Sequence, residues 1–407
     1  MASKFFSGGL TMPISDRLHQ MLKASSWVRR MFEEAAELKK RQGGDGVCDF
    51  TLGNPVDEPP PSFKEGLKKL ALDPKRGMHR YMPNHGFPET RAFVAQGLRE
   101  ETGLPFTEDH IVMTVGAAGG LNIVLKAILD PGDEVIVPTP HFVEFGYYAE
   151  NHGGRLILAE TKEDFSLDPE AIDRRITDRT KAVLVNSPNN PTGVVYPRGQ
   201  LAELAELLRE RSKGRRKPIY LITDDTYKAL LYDGLKPVNT FELYGPTISV
   251  CSYSKSLHIP GERIGYVAVN PSFEEAELLM DAFILANRVL GFVNAPALMQ
   301  RVIPLVAEAT VDVADYARRR DTLYRALVDF GYQVVKPQGA FYLFPKTPID
   351  DDVAFVADLQ NNYRVLTVPG RGFGKKGHFR ISYCVEMEVI ERSLERFQQA
   401  AKKHGLC

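Results

Sequence analysis

Tryptophan occurs once in these 407 residues, and cysteine only four times. The cysteines, Cys48, Cys251, Cys384 and Cys407, stand far apart and form no Cys-x-x-Cys pair. That excludes a zinc ribbon or a disulfide-stapled scaffold and points to a reduced, cytoplasmic setting. The nine histidines make no His-Glu-x-x-His pattern, so no metal is expected. An excess of either charge is also missing. Basic residues number 51 and acidic residues 52, for a net charge of −1, which gives no reason to expect a nucleic-acid or anionic-membrane partner. Long apolar runs are absent; the best, residues 283–297, is cut by Arg288 and Asn294, so no membrane span is expected. The N-terminal residues carry no apolar core of the secretory kind. No internal repeat or low-complexity tract is found.

What is present is an ordinary globular balance, 43% hydrophobic and 25% charged, on a chain long enough for two or three domains. Residues 13–42 have apolar positions at helical spacing and a Gly43-Gly44 stop. From about residue 110 short β-rich runs alternate with helical segments: HIVMTV, DEVIVP, GRLILAE, KAVLVN, PIYLITD, TISVCS and IGYVAV. Most are continuous apolar runs, the mark of strands covered on both faces. They predict an α/β fold with a mostly parallel seven-stranded sheet flanked by helices. A long helical region is expected from Ser272 to about Phe330. The tail predicts a smaller α+β domain closed by a helix over Met387–His404. The expected division is an N-terminal arm over 1–50, a large domain over 51–300 and a small domain over 301–407.

Ligands of open α/β sheets sit beyond the carboxyl ends of the strands. The residues there are the most distinctive polar ones of the chain. The turn Gly116-Ala117-Ala118-Gly119-Gly120 opens a helix whose amides can bind an anion, or it is only a tight turn. Asp224 ends an apolar strand, where it needs a positive partner or caps a helix. Lys255 follows another strand. It is either a loop lysine or, if buried, an activated amine able to condense with a carbonyl. Ser252, Ser254 and Arg263 around it suit an anionic oxygen group. An aldehyde and a phosphate on one molecule, with an acid opposite a ring nitrogen, suggest pyridoxal phosphate. By contrast, Gly372, Gly374 and Gly377 match GxGxxG, but a strand follows them, so a mobile glycine loop is expected instead. The basic run 211–217 is expected to be a solvated helix end.

In chain order, FTLGNP (50–55), RYMPNHGFPETR (80–91), TVGAAGGL (114–121), VNSPNNPTG (185–193), TDDTY (223–227), SYSKSLHIPGERIGY (252–266), PQGAFYLFP (337–345) and FRISY (379–383) resemble a class I/II aminotransferase of the fold-type I pyridoxal-phosphate superfamily. The resemblance covers nearly the whole chain. It implies that Lys255 holds the cofactor through a Schiff base and that Asp224 pairs with its pyridine nitrogen. Tyr227 and Asn190 would bond the ring's phenolic oxygen, and Phe142 would stack on the ring. Ser252, Ser254, Arg263 and the amides of Ala117 and Ala118 would hold the phosphate. Tyr81 would reach the phosphate of a neighbouring subunit, which implies a homodimer. Arg380 would grip the substrate carboxylate, with Gly53 lining that end.

The implied reaction exchanges an amino group between an L-amino acid and a 2-oxo acid in ping-pong fashion, with Lys255 moving the proton. Relatives specific for aspartate place a lysine in the turn where this chain has Ala117 and Ala118. Others bring an arginine across the dimer interface; Arg288, one residue out of register, is expected to admit dicarboxylic substrates. The same scaffold also supports β-elimination by a C–S lyase, or a noncatalytic cofactor-binding sensor. Pyruvate release against amino-group exchange separates these.

Overall fold

The computed structural model describes residues 13–22, 37, 40, 46–74, 76–306 and 310–407. Of the helix expected over 13–42, residues 16–22, 37 and 40 are helical, and the remainder lies outside the described residues. After a two-residue strand, β1 (Cys48–Asp49), come the strands of the large sheet. They are β2 (Ile111–Thr114), β3 (Glu134–Thr139), β4 (Arg155–Glu160), β5 (Thr180–Asn186), β6 (Tyr220–Asp224), β7 (Thr247–Ser252) and β8 (Gly265–Val269). Their order is β2-β8-β7-β6-β5-β3-β4, and only β8 runs against its neighbours. Every residue of β2, β7 and β8 is buried, as continuous apolar runs require when helices cover both faces. The run RLILAE forms the outer edge, which leaves Arg155, Leu158 and Glu160 exposed.

The small domain carries β9 (Tyr342–Leu343), β10 (Val365–Leu366), β11 (Val368–Pro369) and β12 (Phe379–Ser382). An antiparallel sheet β11-β12-β9 is joined by a parallel pair of β10 with β1. One aromatic core, with Phe50, Tyr316, Phe341, Phe355, Phe379 and Phe397, fills this half. The closing helix spans Met387–Lys403.

The region 272–330 is not one helix. It breaks into Ala276–Val289, Ala297–Val302 and Val313–Asp329. Gly291 and Val293 turn left-handed, and Pro296 and Pro304 start new turns, so backbone chemistry overrides the apolar periodicity there. The glycine loop 371–377 is docked rather than mobile. His141 N donates to Phe373 O at 3.0 Å, Phe373 is buried, and Arg371 pairs with Asp351 and Asp352. The basic run ends the helix Arg198–Ser212, but it is tied down, with Arg211 on Asp173 and Lys217 on Asp130. Among the described residues no helix is long and apolar enough to cross a membrane.

Candidate active site

Twelve of the fourteen sequence-predicted site residues line one cleft of about 310 Å³: Gly53, Ala117, Ala118, Phe142, Asn190, Asp224, Tyr227, Ser252, Ser254, Lys255, Arg263 and Arg380. The strand ends of β5, β6 and β7 and the start of the helix Gly116–Ile128 supply one wall. The small domain supplies the other through Tyr342 on β9 and Arg380 on β12.

Lys255 sits on a one-turn helix, Tyr253–Ser256, capped by Ser252, whose Oγ accepts from Ser254 N at 3.2 Å. Its Nζ donates to the Gly53 carbonyl at 2.6 Å and lies 5.5 Å from the Phe341 ring centre. Burial brings this amine down to about 8, against an opposing pull from the Cys384 thiol, and the cations Arg263 and Arg380 add to the depression. A carbonyl partner leaves the amine free to lose its proton, which a carboxylate partner would resist.

Asp224 caps no helix, because residues 226–229 form a turn rather than a helix. Its Oδ1 accepts from Thr226 N at 3.2 Å and Thr226 Oγ1 at 2.6 Å, while Oδ2 has no hydrogen-bond partner among the described residues. Burial pushes the carboxyl up to about 6, against the lowering bonds from Thr226. Asn186 Nδ2 holds the Asp224 carbonyl at 3.0 Å, and Asn186 Oδ1 accepts from Asn190 N at 2.7 Å.

The opposite end of the cleft is built for an anion. Gly116 has φ +75°, and a Cβ there would meet Arg263 Nη2 at 2.5 Å, so only glycine lets the helix start against that guanidinium. The helix is 13 residues long and brings Ala117 and Ala118 in its first turn. Ser252 Oγ and Ser254 Oγ are 2.7 Å apart. Arg263 is steered by the carbonyls of Pro260 (2.8 Å) and Val115 (3.2 Å).

Arg380 is buried in its strand, yet among the described residues no carboxylate pairs with it. Its Nη1 donates to Asn190 Oδ1 at 3.0 Å, its Nη2 to Thr51 O at 2.7 Å, and its Nε has no partner. The guanidinium lies between the rings of Tyr342 (4.8 Å) and Phe373 (4.6 Å). Burial pulls its pKa down, so an incoming anion would gain strongly from it. Tyr227 Oη lies 2.8 Å from Tyr342 Oη, and burial holds both phenols neutral.

Tyr81 and Arg288 are not in this cleft. Tyr81 is 90% exposed beside the segment Phe292–Ala295, and Arg288 is exposed at the end of the helix Ala276–Val289. Seven lining residues carry no role in the sequence reading, among them Tyr342, Tyr148 and Asn186. Tyr342 was part of a recognised motif, but in Phe-Tyr-Leu-Phe it reads like any core aromatic.

The family model for "Aminotransferase class I and II" matches residues 45–397. The chain belongs to the class I and II aminotransferases. The aspartate/prephenate aminotransferase of Thermus thermophilus is 36% identical over 93% of this chain and 96% of its own length. An aromatic-amino-acid aminotransferase of Thermococcus litoralis is 30% identical over 97% of this chain and 100% of its own. The crystal structure of an aminotransferase from Eubacterium rectale superposes with a TM-score of 0.92 at 38% identity, covering 97% of this chain and 100% of that one. This aminotransferase is therefore a pyridoxal-phosphate-dependent enzyme that works on amino acids and oxo acids, and its relatives do not favour the lyase reading. The cleft fits that cofactor. It offers a buried amine, an unpartnered Asp224 Oδ2 and a basic anion cradle in one cavity. Among the described residues no cluster of His, Cys, Asp or Glu could hold a metal.

Proposed function

We propose that this aminotransferase transfers the amino group of a dicarboxylic L-amino acid, with Lys255, Asp224 and Arg380 as its working groups. The observation that carries the reading is the convergence of a depressed amine, a free buried carboxylate oxygen and an unpaired buried guanidinium on one cleft. Bound pyridoxal phosphate supplies an aldehyde that captures amines and a protonated ring that takes up the electrons left at Cα.

Lys255 Nζ would anchor the cofactor's aldehyde and, when free of it, would carry the proton removed from the substrate's Cα. Asp224 Oδ2 holds the proton on the pyridine nitrogen. Tyr227 and Asn190 bond the ring's phenolic oxygen, and Phe142 covers one ring face. Ser252, Ser254, Arg263 and the amides of Ala117 and Ala118 hold the phosphate. Arg380 orients the substrate α-carboxylate, and Gly53 leaves room for it.

Tyr81 and Arg288 serve the cleft of a second copy in a homodimer. Both are exposed, Tyr81 beside Phe292–Ala295 and Arg288 at the helix end just before Gly291. Relatives named aspartate/prephenate aminotransferase and aspartate aminotransferase agree with Arg288 admitting a second carboxylate. The buried, unpaired thiols of Cys48, Cys251 and Cys384 fit a cytoplasmic enzyme. The domain limits we propose are 1–50 for the arm, 51–300 for the large domain and 301–407 for the small one.

The test is a panel of amino donors followed through the cofactor's absorbance, with the dimer checked by light scattering. Aspartate and glutamate should convert the band, and Lys255→Ala should slow that conversion by about 10²–10⁴-fold. Arg288→Ala should weaken the dicarboxylates and spare alanine. Equal losses on all donors would refute the role of Arg288, and an unchanged band in Lys255→Ala would sink the whole reading.

A further inference from the structure

Behind Asp224 lies a second set of charges that the reaction as proposed does not use. Strand residues alternate between faces, so Thr223 and Asp225 point away from the cleft while Asp224 points into it. Asp225 N still donates to Val250 O at 2.8 Å, which continues the β6–β7 ladder one residue past the strand end. Thr223 pairs in register with Ser249, so their hydroxyls stand side by side on that far face. Both donate to Asp225 Oδ2, Thr223 Oγ1 at 2.8 Å and Ser249 Oγ at 2.5 Å. Burial raises the pKa of Asp225, while Lys228 and the hydroxyl bonds from Ser249 and Thr223 oppose that and favour its ionised form. Three residues on, Lys228 Nζ donates to Glu101 Oε2 at 2.7 Å. Asp225, Lys228 and Glu101 share the lining of a cavity of about 40 Å³ with Thr223 and Ser249.

We infer that Asp225 is a positioning residue for Asp224: locked by Thr223 and Ser249 and only partly offset by Lys228, it sets a fixed negative charge across the sheet that holds the cofactor's ring proton in place. This rests on the proposed pairing of Asp224 with the ring nitrogen. Two carboxylates against one ammonium leave this cluster one net negative charge. Asp225 and Lys228 are only partly exposed, so part of that charge is felt on the other face. Burial is the main cause of the raised proton affinity of Asp224, and repulsion from Asp225 adds to it. A proton shared between Asp224 Oδ2 and the ring feels the same attraction. The remaining titratable neighbours on the far face, Cys251, Tyr253 and Tyr266, are all kept neutral by burial. On the cleft side the charged groups are Lys255, Arg263 and Arg380, and Tyr148, Tyr227 and Tyr342 stay neutral.

The experiment compares wild type, Asp225→Asn, Lys228→Met and Asp224→Asn as holoenzymes. It measures the pH midpoint of the bound cofactor's absorbance change and the affinity of each apoenzyme for pyridoxal phosphate. Asp225→Asn should lower the midpoint and weaken the cofactor, and Lys228→Met, which deepens the negative charge, should raise the midpoint. Each shift should correspond to a three- to tenfold change in proton affinity, about 0.5 to 1 in pH. Damage to packing alone would move both variants the same way, and that result, or no movement in either, overturns the inference. If Asp224→Asn also leaves band and affinity unchanged, the pairing of Asp224 with the ring is wrong as well. If only Asp224→Asn responds, that pairing stands and the role of Asp225 falls.

Discussion

Lys255 Nζ donates to the carbonyl oxygen of Gly53 at 2.6 Å. The same N-terminal segment gives its Thr51 carbonyl to Arg380 at 2.7 Å. One stretch of backbone thus touches both the amine that is to do the chemistry and the guanidinium that is to seat the substrate. Neither contact neutralises a charge, so both groups are kept for ligands.

The amine of Lys255 titrates near 8 in the cofactor-free protein. Only its neutral form attacks an aldehyde. The rate at which apoenzyme captures pyridoxal phosphate should therefore rise as pH climbs through about 8 and level off above it. Stopped-flow absorbance measures this directly. Lys255→Ala should lose the covalent band and about 10²–10⁴-fold in turnover, the usual worth of a positioned proton carrier. A capture rate flat from pH 6 to 10 would contradict the depressed amine.

Gly53 faces Tyr342 so closely that a Cβ would lie 2.0 Å from its hydroxyl oxygen. Gly53→Ala should push Tyr342 off Tyr227 and destabilise the protein by about 1–3 kcal/mol. Adding Tyr342→Phe should restore part of that loss in urea melts, because the hydroxyl is the nearest obstacle. No restoration would mean that the backbone, not Tyr342, resists the methyl group.

Asp224 carries opposite signs with and without cofactor. In the apoenzyme its folded pKa of about 6 lies above its ordinary 3.8. Its contribution to stability is then fully present below about 3.8 and is lost as pH rises through about 6, roughly 3 kcal/mol in all. Apo Asp224→Asn should escape that loss, so its urea midpoint should overtake wild type between pH 4 and 7. Loaded with pyridoxal phosphate the order should reverse, and the variant should bind the cofactor roughly ten- to hundredfold more weakly.

Arg380 is buried without a carboxylate partner and with a free Nε. Arg380→Lys keeps a charge but loses the planar fork that a carboxylate needs. It should lower kcat/KM for amino and oxo acids alike by about 10²–10³-fold, in line with roughly 2–5 kcal/mol for a desolvated charge pair. Cofactor affinity should stay near wild type, as equilibrium dialysis can show. A parallel fall in cofactor binding would place Arg380 in the wrong role.

Much of this arrangement is legible in the chain itself. Most large-sheet strands, the edge strand β4 excepted, show as continuous apolar runs because both faces are covered, and Lys255, Asp224 and Arg380 show because a charge beside such a run must have a purpose. Tyr342, Tyr148 and Asn186 carry no such mark, since an aromatic ring or a strand-end asparagine looks the same in a core as in a cleft. The loop 371–377 looked free by its glycines. It is held by His141 and Phe373, partners more than 200 residues apart in sequence.

What the sequence determined alone was local: the periodicity of each element, the turn that only Gly116 permits, and which charges could not be left in apolar surroundings. What tertiary structure decided was convergence. Lys255 meets Gly53 across 202 residues and Arg380 meets Asn190 across 190, and only the packing of two domains gives such separations a distance. It also decided that Tyr81 and Arg288 face outward. Local propensity specifies how each residue is held, while the burial of separate cores specifies what each one meets.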